Sequence, residues 1–464
     1  MLETSSFRKT KITLSDYNYK KDIENRLLMA QFSSLDVAVL EEVLFSSLVI
    51  SVEKIAKNIG ESEESILFSI KKFAQAGLLK SENNNFIVDK EMRKYFESQA
   101  LKFDPDFKPD MEFLQGLLRK VPIHVLPSWY SIPRLSNNIF NSILEKYLVT
   151  PLTFQRYLME VNFSDPTLSA IAQDVFRSPN LQIPSKDLIE KYGLTAEQFE
   201  EHMLHLEFNF ICCIGYQKVG DEFKEVVSPF HEWREYLSFL KNTESKPIAD
   251  ISKVHRLRPA DYSFIQDMTA ILEAIKKEKV LLNSQGYATL LSLCEELKED
   301  DLPYLNQVIN KLCILKFAES SNGELKFLEY ASEWLGMRLE SKAIFLYRHS
   351  LNRICTHELP QDICNEKLIR EAEKSIQRAL HSGWVLFDDF VKGVMVPLNE
   401  RTAIVLKKTG KSWRYTLPEY TPEETLLIKA TVLGWLFEIG IIAIGTYEEK
   451  DCFCVTPFGQ SLFG

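Results

Sequence analysis

From Leu35 onward, apolar residues recur at helical spacing, with Val37, Leu40, Val43 and Leu44 on one face. A second helix is expected from Val52 to Ile59, closed by Gly60 just past its last turn. A third runs from Ser62 to Ala76, with Ile66, Ile70 and Phe73 on one face and Gly77 ending it. The residues that follow, LLKSENNNFIVD, are two short apolar runs around an Asn-rich turn, which is a hairpin signal. Helix, helix, helix and a two-stranded wing is the winged-helix plan, a helix-turn-helix with a hairpin added.

The same order returns along the chain. LSAIAQDVFRS begins a second copy at Leu168; PSKDLIEKYGLTAEQFEEHMLHLEF supplies its second and third helices, separated by Gly193. Ser185 and Thr195 are the expected N-caps, the latter with Gln198 three residues on as a capping box. Its hairpin turns at Val219-Gly220-Asp221. A third, less regular copy starts at Tyr262 and turns its wing at Ser320 to Gly323. A fourth lies at the C-terminus, with a long helix from Thr421 to Ile439, a hairpin and a short closing helix, FGQSLF.

Connections fill the rest. FDPDFKPD, Phe103 to Asp110, has the prolines and aspartates of a linker, and Leu114 to Thr150 is apolar and Pro-punctuated, as joining helices are. Leu359 to Leu380 is an amphipathic helix, and TAIVLKKTGKSWRYTLP alternates around Thr409-Gly410-Lys411 as a second kind of hairpin. The expected fold class is mainly α with small β-hairpins (α+β), a tandem winged-helix array. Its expected parts are an extension at 1–34, winged helix 1 at 35–100, a helical connector at 101–165, winged helix 2 at 166–245 and winged helix 3 at 246–340. A helical linker with a basic hairpin follows at 341–420, then winged helix 4 at 421–464.

Composition narrows the function classes. With 17 glycines in 464 residues, well below the usual share of roughly 7%, Gly-rich phosphate loops and tightly turned β-repeats are disfavoured. Lys and Arg number 55 against 65 Asp and Glu, a formal charge of −10, so nucleic acid cannot be held by the overall field and needs local patches. Met1 to Thr10 has no apolar stretch of the kind a secretory leader needs. The run from Leu433 to Gly445 is broken by Glu438 and shorter than the ~20 residues of a membrane span. Eight dispersed cysteines without a leader read as reduced thiols. The expectation is a cytoplasmic protein with no membrane partner.

Catalytic signatures are missing: there is no GxGxxG, HExxH, GxSxG or CxxC pair. Gly410-Lys411-Ser412 resembles the end of a P-loop, but Val405 stands where its first glycine belongs. His349, Cys355, His357 and Cys364 lie close in sequence yet match no usual zinc spacing. His202 and His205 share a helix face without a third ligand, and core packing accounts for Cys212, Cys213, Cys452 and Cys454. No enzyme activity, cofactor or metal is expected.

Winged helices point to nucleic acid, because a third helix can enter the major groove while the wing touches the backbone. Copy one offers Lys71, Lys72 and Lys80, with Asn83, Asn84 and Asn85 in the wing, against Glu63 and Glu64. Copy two carries Glu197, Glu200, Glu201 and Glu207 on its third helix, a face expected to repel phosphate. Copy three is polar there, with Asn306, Gln307, Asn310 and Lys311, and copy four is mostly apolar. The densest basic cluster is elsewhere: Arg401, Lys407, Lys408, Lys411 and Arg414, interleaved with Trp413 and Tyr415, a pattern suited to backbone tracking and stacking. DNA or RNA is the first expected partner. The alternative is a protein partner docked on acidic or apolar third helices.

One stretch carries a family resemblance. FLEYASEWLGMRLESKAIFLYRHSLN from Phe327 gives a wing followed by a Glu-Trp-Leu closing helix. WRYTLPEYTPEETLLIKATVLGWLFEIGIIAIG and CVTPFGQSLF then give a second wing ending in Thr-Pro-x-Gly. In pattern, roughly residues 260 to 464 resemble the bacterial stand-alone relatives of the winged-helix region adjoining XPB-type helicases. The resemblance implies winged helices and a role beside nucleic-acid or transcription machinery. It transfers no catalytic residue, since the helicase motor is absent.

Overall fold

A computed structural model of the chain describes residues 8–82, 85–133, 138–294, 297, 301–349, 359, 364–410 and 412–464. These residues are mainly helical with small, mostly antiparallel sheets. They divide into two compact units, residues 1–238 with 405–415, and residues 239–404 with 416–464. Among the described residues no helix is long and apolar enough to cross a membrane.

One module recurs four times, twice in each unit: a first helix, a two-residue strand, a second helix, a third helix and a hairpin. In the first module these are Ser34–Phe45, Val49–Ile50, Val52–Ile59, Glu63–Gln75, and the pair Leu79–Glu82 and Asn85–Val88. Ser33 and Asp36 form a capping box at its start. Gly60 ends the second helix at φ 80°, a left-handed turn that side chains with a Cβ resist. The short strand pairs with the hairpin's return strand, which therefore lies in the middle of the sheet.

The second module repeats this order with Pro166–Arg177, Ile183–Pro184, Ser185–Tyr192, Ala196–Phe208, and the pair Cys212–Val219 and Glu222–Pro229. Thr195 and Gln198 close the expected capping box. Ser185 does not cap: it is the first residue of its helix, because Pro184 is held extended by pairing with Val226 and occupies the cap position itself. The 103–110 segment is not a loose linker. Phe103 stacks on Tyr216 at 4.2 Å and continues through Phe32 to Phe73, an aromatic row from the second module's hairpin to the first module's third helix. One continuous core results, running from Met29 to Val227.

In the other unit the third module comprises Ser263–Lys277, Val280–Leu281, Ser284–Leu293, Leu302–Ile314, and the pair Ala318–Ser321 and Glu324–Phe327. The fourth starts before residue 421. Glu366–Lys374 is its first helix, Val385–Leu386 its short strand and Phe387–Lys392 its second helix; Pro422–Lys429 continues through a π-helical stretch, Ala430–Leu436, as its third. Val385 and Leu386 pair with the return strand Lys450–Val455 as in the other modules, and His255–Arg256 adds a fourth strand beside Ile442–Tyr447. That these early elements belong with the C-terminal hairpin escapes a sequence reading because residues 393–421 are inserted between the second and third helices. The basic hairpin, Leu406–Thr409 with Ser412–Tyr415, lies inside that insertion yet belongs to the first unit.

Candidate nucleic-acid interface

Strand register decides which hairpin residues face the protein. Leu406 opposes Tyr415, Lys407 opposes Arg414, Lys408 opposes Trp413 and Thr409 opposes Ser412. Opposed residues share a face and alternate pairs switch faces, so Leu406, Tyr415, Lys408 and Trp413 lie on one side, and Lys407, Arg414, Thr409 and Ser412 on the other. The first side is the anchor. Leu406 and Tyr415 are buried, the Leu406 N–H donates to Val149 O at 2.8 Å, and the Tyr415 hydroxyl donates to Leu148 O at 2.8 Å. Trp413 meets Phe140 edge-on at 6.4 Å, with the Lys408 ammonium 6.0 Å from its ring centre.

The second side is cationic. Lys407 and Arg414 stand directly opposite each other and exposed, an arrangement that costs rather than adds sheet stability. Neither has a carboxylate within ion-pair distance among the described residues. Nor does Lys408. Lys411 lies outside the described residues. Arg401 is exposed but belongs to the other compact unit, so the hairpin does not include it.

The first module's lysines are differently placed. Lys71 is exposed. Lys72 is only 21% exposed, because its ammonium reaches back 2.7 Å to the buried Asp36, which also accepts from Ser69 at 2.8 Å. Burial would raise the Asp36 carboxyl, but Lys72 and the Ser33 N–H hold it below its ordinary value. Lys72 is therefore a brace between first and third helices, not a free phosphate contact. Lys80 is exposed and sits 3.5 Å from Asp89, and Asn83 and Asn84 lie outside the described residues. What the third helix shows solvent is Leu67 and Phe68, the latter 64% exposed, beside Glu63, Glu64 and Lys71.

Two other third helices are turned inward. In the second module Glu200 and Glu207 do not face phosphate at all. Arg26 lies 2.5 Å from Glu200 and 2.8 Å from Glu207, all three buried. Burial alone would raise the Glu207 carboxyl, but Arg26 and Lys102 drive it far below the usual range. In the fourth module Leu427, Ile428, Val432, Trp435 and Leu436 are buried. Glu438, the charge that interrupts its apolar run, lies 2.7 Å from the equally buried Lys311 of the third module. The third module's helix leaves Asn306 and Asn310 exposed.

Of the histidines and cysteines clustered at 349–364, Cys355 and His357 lie outside the described residues. Among the described residues no group of three or more His, Cys, Asp or Glu side chains is placed to hold a metal ion. His202 is bonded to Asp165 at 3.0 Å, and His205 is partly buried, which lowers its pKa. Comparison with protein-family models and with curated proteins finds no match to this chain.

Proposed function

We propose that this chain is a non-enzymatic array of four winged helices that binds nucleic acid through the hairpin Leu406–Tyr415. The observation that carries the proposal is the exposed, unneutralised Lys407–Arg414 pair on a hairpin whose opposite face is anchored by Leu406 and Tyr415. Two cations held face to face on a firm strand pair suit an anionic polymer, which removes the repulsion on binding. Trp413 is partly covered by Phe140, so the contact is with phosphates rather than by base stacking, and sequence preference is weak. The pattern resemblance of residues 260 to 464 to the helicase-adjoining winged helices is consistent with a transcription-associated role.

Fluorescence anisotropy with labelled DNA and RNA across a salt series tests this. Affinity falls steeply with salt, and Lys407→Glu with Arg414→Glu lowers it and flattens the slope by about one unit per lost phosphate contact. Absence of binding at low salt overturns the proposal. It would favour the second reading, a protein-docking scaffold, which rests on Leu67 and Phe68 facing solvent from the first module's third helix.

A further inference from the structure

The third helix of the first module, Glu63–Gln75, carries two unlike faces. Ile66, Ile70 and Phe73 enter the module's core, and Ser69 is buried with them. On the opposite side Glu64, Leu67, Phe68 and Lys71 follow at intervals of three and four residues, so they form one stripe, and all four are exposed. The outer stripe of a surface helix is ordinarily polar. Here its centre is apolar, with Phe68 64% exposed. Phe68 is also held in place, since the Lys72 ammonium, fixed by its pair with Asp36, sits 4.9 Å from the ring centre. The two ends of the stripe are charged. Neither Glu64 nor Lys71 has an oppositely charged group within ion-pair distance among the described residues, and they stand about 10 Å apart along the axis, too far to neutralise each other.

Opposite charges at the ends and an apolar centre make this stripe complementary to itself turned end for end. When two copies of the helix lie antiparallel about a two-fold axis midway between Leu67 and Phe68, Leu67 of one copy meets Phe68 of the other. Glu64 then meets Lys71 twice, once on each side of the axis, as an isologous contact requires. Each of these ion pairs lies only about 5 Å along the helix from the axis, beside the apolar centre. A parallel arrangement would instead set Glu64 against Glu64 and Lys71 against Lys71, which like-charge repulsion opposes. A single helix stripe covers less than the ~1,200 Å² at which standard interfaces begin, so the association is weak, with a Kd on the order of 10 μM.

We infer that two copies of this chain form a two-fold dimer through Glu63–Gln75, with Leu67 and Phe68 at its centre and reciprocal Glu64–Lys71 pairs on either side. The dimer names an occupant for the face on which the protein-docking reading rests, and it holds whether or not the hairpin binds nucleic acid. Sedimentation velocity of the full chain without nucleic acid, from about 1 to about 100 μM so as to bracket that Kd, shows monomer converting to dimer. Phe68→Glu, at an exposed side chain outside the core, stays monomeric. Glu64→Lys and Lys71→Glu each weaken the dimer about tenfold, because each alone opposes like charges on both sides of the axis. An equimolar mixture of these two variants restores dimerisation, since each chain offers the charge the other lacks; damage to the fold could not be repaired in this way. A chain that stays monomeric throughout, a dimer that survives Phe68→Glu, or a mixture no tighter than the separate variants would each overturn the inference. The first of these would leave Leu67 and Phe68 to a different protein partner.

Discussion

Arg26 shows how much a single side chain can decide. Two buried cations, Arg26 and Lys102, and the half-buried Lys120 meet three buried carboxylates, Asp22, Glu200 and Glu207, so the group balances only while each member is present. Arg26→Met should destabilise the protein by about 3–5 kcal/mol, since it leaves Glu207 and Glu200 buried without their partner; chemical denaturation measures this. Glu207 and Asp22 have depressed pKa values in the folded state. Their stabilisation is present above the ordinary carboxylate range and is lost as pH falls through their folded values. Glu232 behaves oppositely. One oxygen accepts from the Met111 N–H at 2.9 Å and the other is buried without a partner among the described residues. Burial pushes its pKa up to about 8, so its contribution to stability is complete below about 4.5 and is lost as pH rises towards 8. Glu232→Gln keeps the Met111 contact and removes that dependence. The variant is expected to match the parent near pH 4 and to exceed it at pH 8 by a few kcal/mol, at roughly 1.4 kcal/mol for each pH unit separating the ordinary and folded values. Equal pH profiles for the two proteins would refute this assignment.

Among the elements, the third helices differ by what their buried face must satisfy. Those of the second and fourth modules are consumed by packing and ion pairs, whereas that of the first keeps Leu67, Phe68 and Lys71 in solvent. Helical periodicity located all four, because apolar spacing survives whichever face is buried. It could not tell Glu207 from a solvated glutamate, since Arg26, its partner, is 181 residues away. The hairpin was legible too, as alternation and a Gly410 turn. Which of its faces is cationic depended on register. Tyr415→Ala removes both the ring contact with Tyr236 and the hydroxyl bond to Leu148 O, and should cost about 3–5 kcal/mol of hairpin anchoring. Hydrogen exchange across residues 406–415 would then speed up while the first module stays protected.

For the molecule as a whole, the charge of −10 sets how a polyanion approaches. The overall field repels it at long range, and salt near 0.1 M screens that field beyond about 10 Å. The contact proposed for Lys407 and Arg414 acts at short range. Between low and moderate salt, the association rate with DNA is therefore expected to stay level or rise, while dissociation accelerates and lowers affinity. Stopped-flow fluorescence separates the two rates; an association rate that falls steeply with salt would place the binding surface in a wider basic field than this hairpin.

Local signals were sufficient for helices, turns and hairpins, because spacing, caps such as Thr195 with Gln198, and left-handed glycines such as Gly60 act within a few residues. They also placed the basic cluster at 407–414. Long-range pairing did the rest. It bound Lys72 to Asp36, buried Glu200 and Glu207 against Arg26, and joined residues 366–392 to the C-terminal hairpin across an insertion. A charged or amide side chain has the same local pattern whether water or a distant partner solvates it, so only contacts between remote segments distinguish a brace from a binding residue.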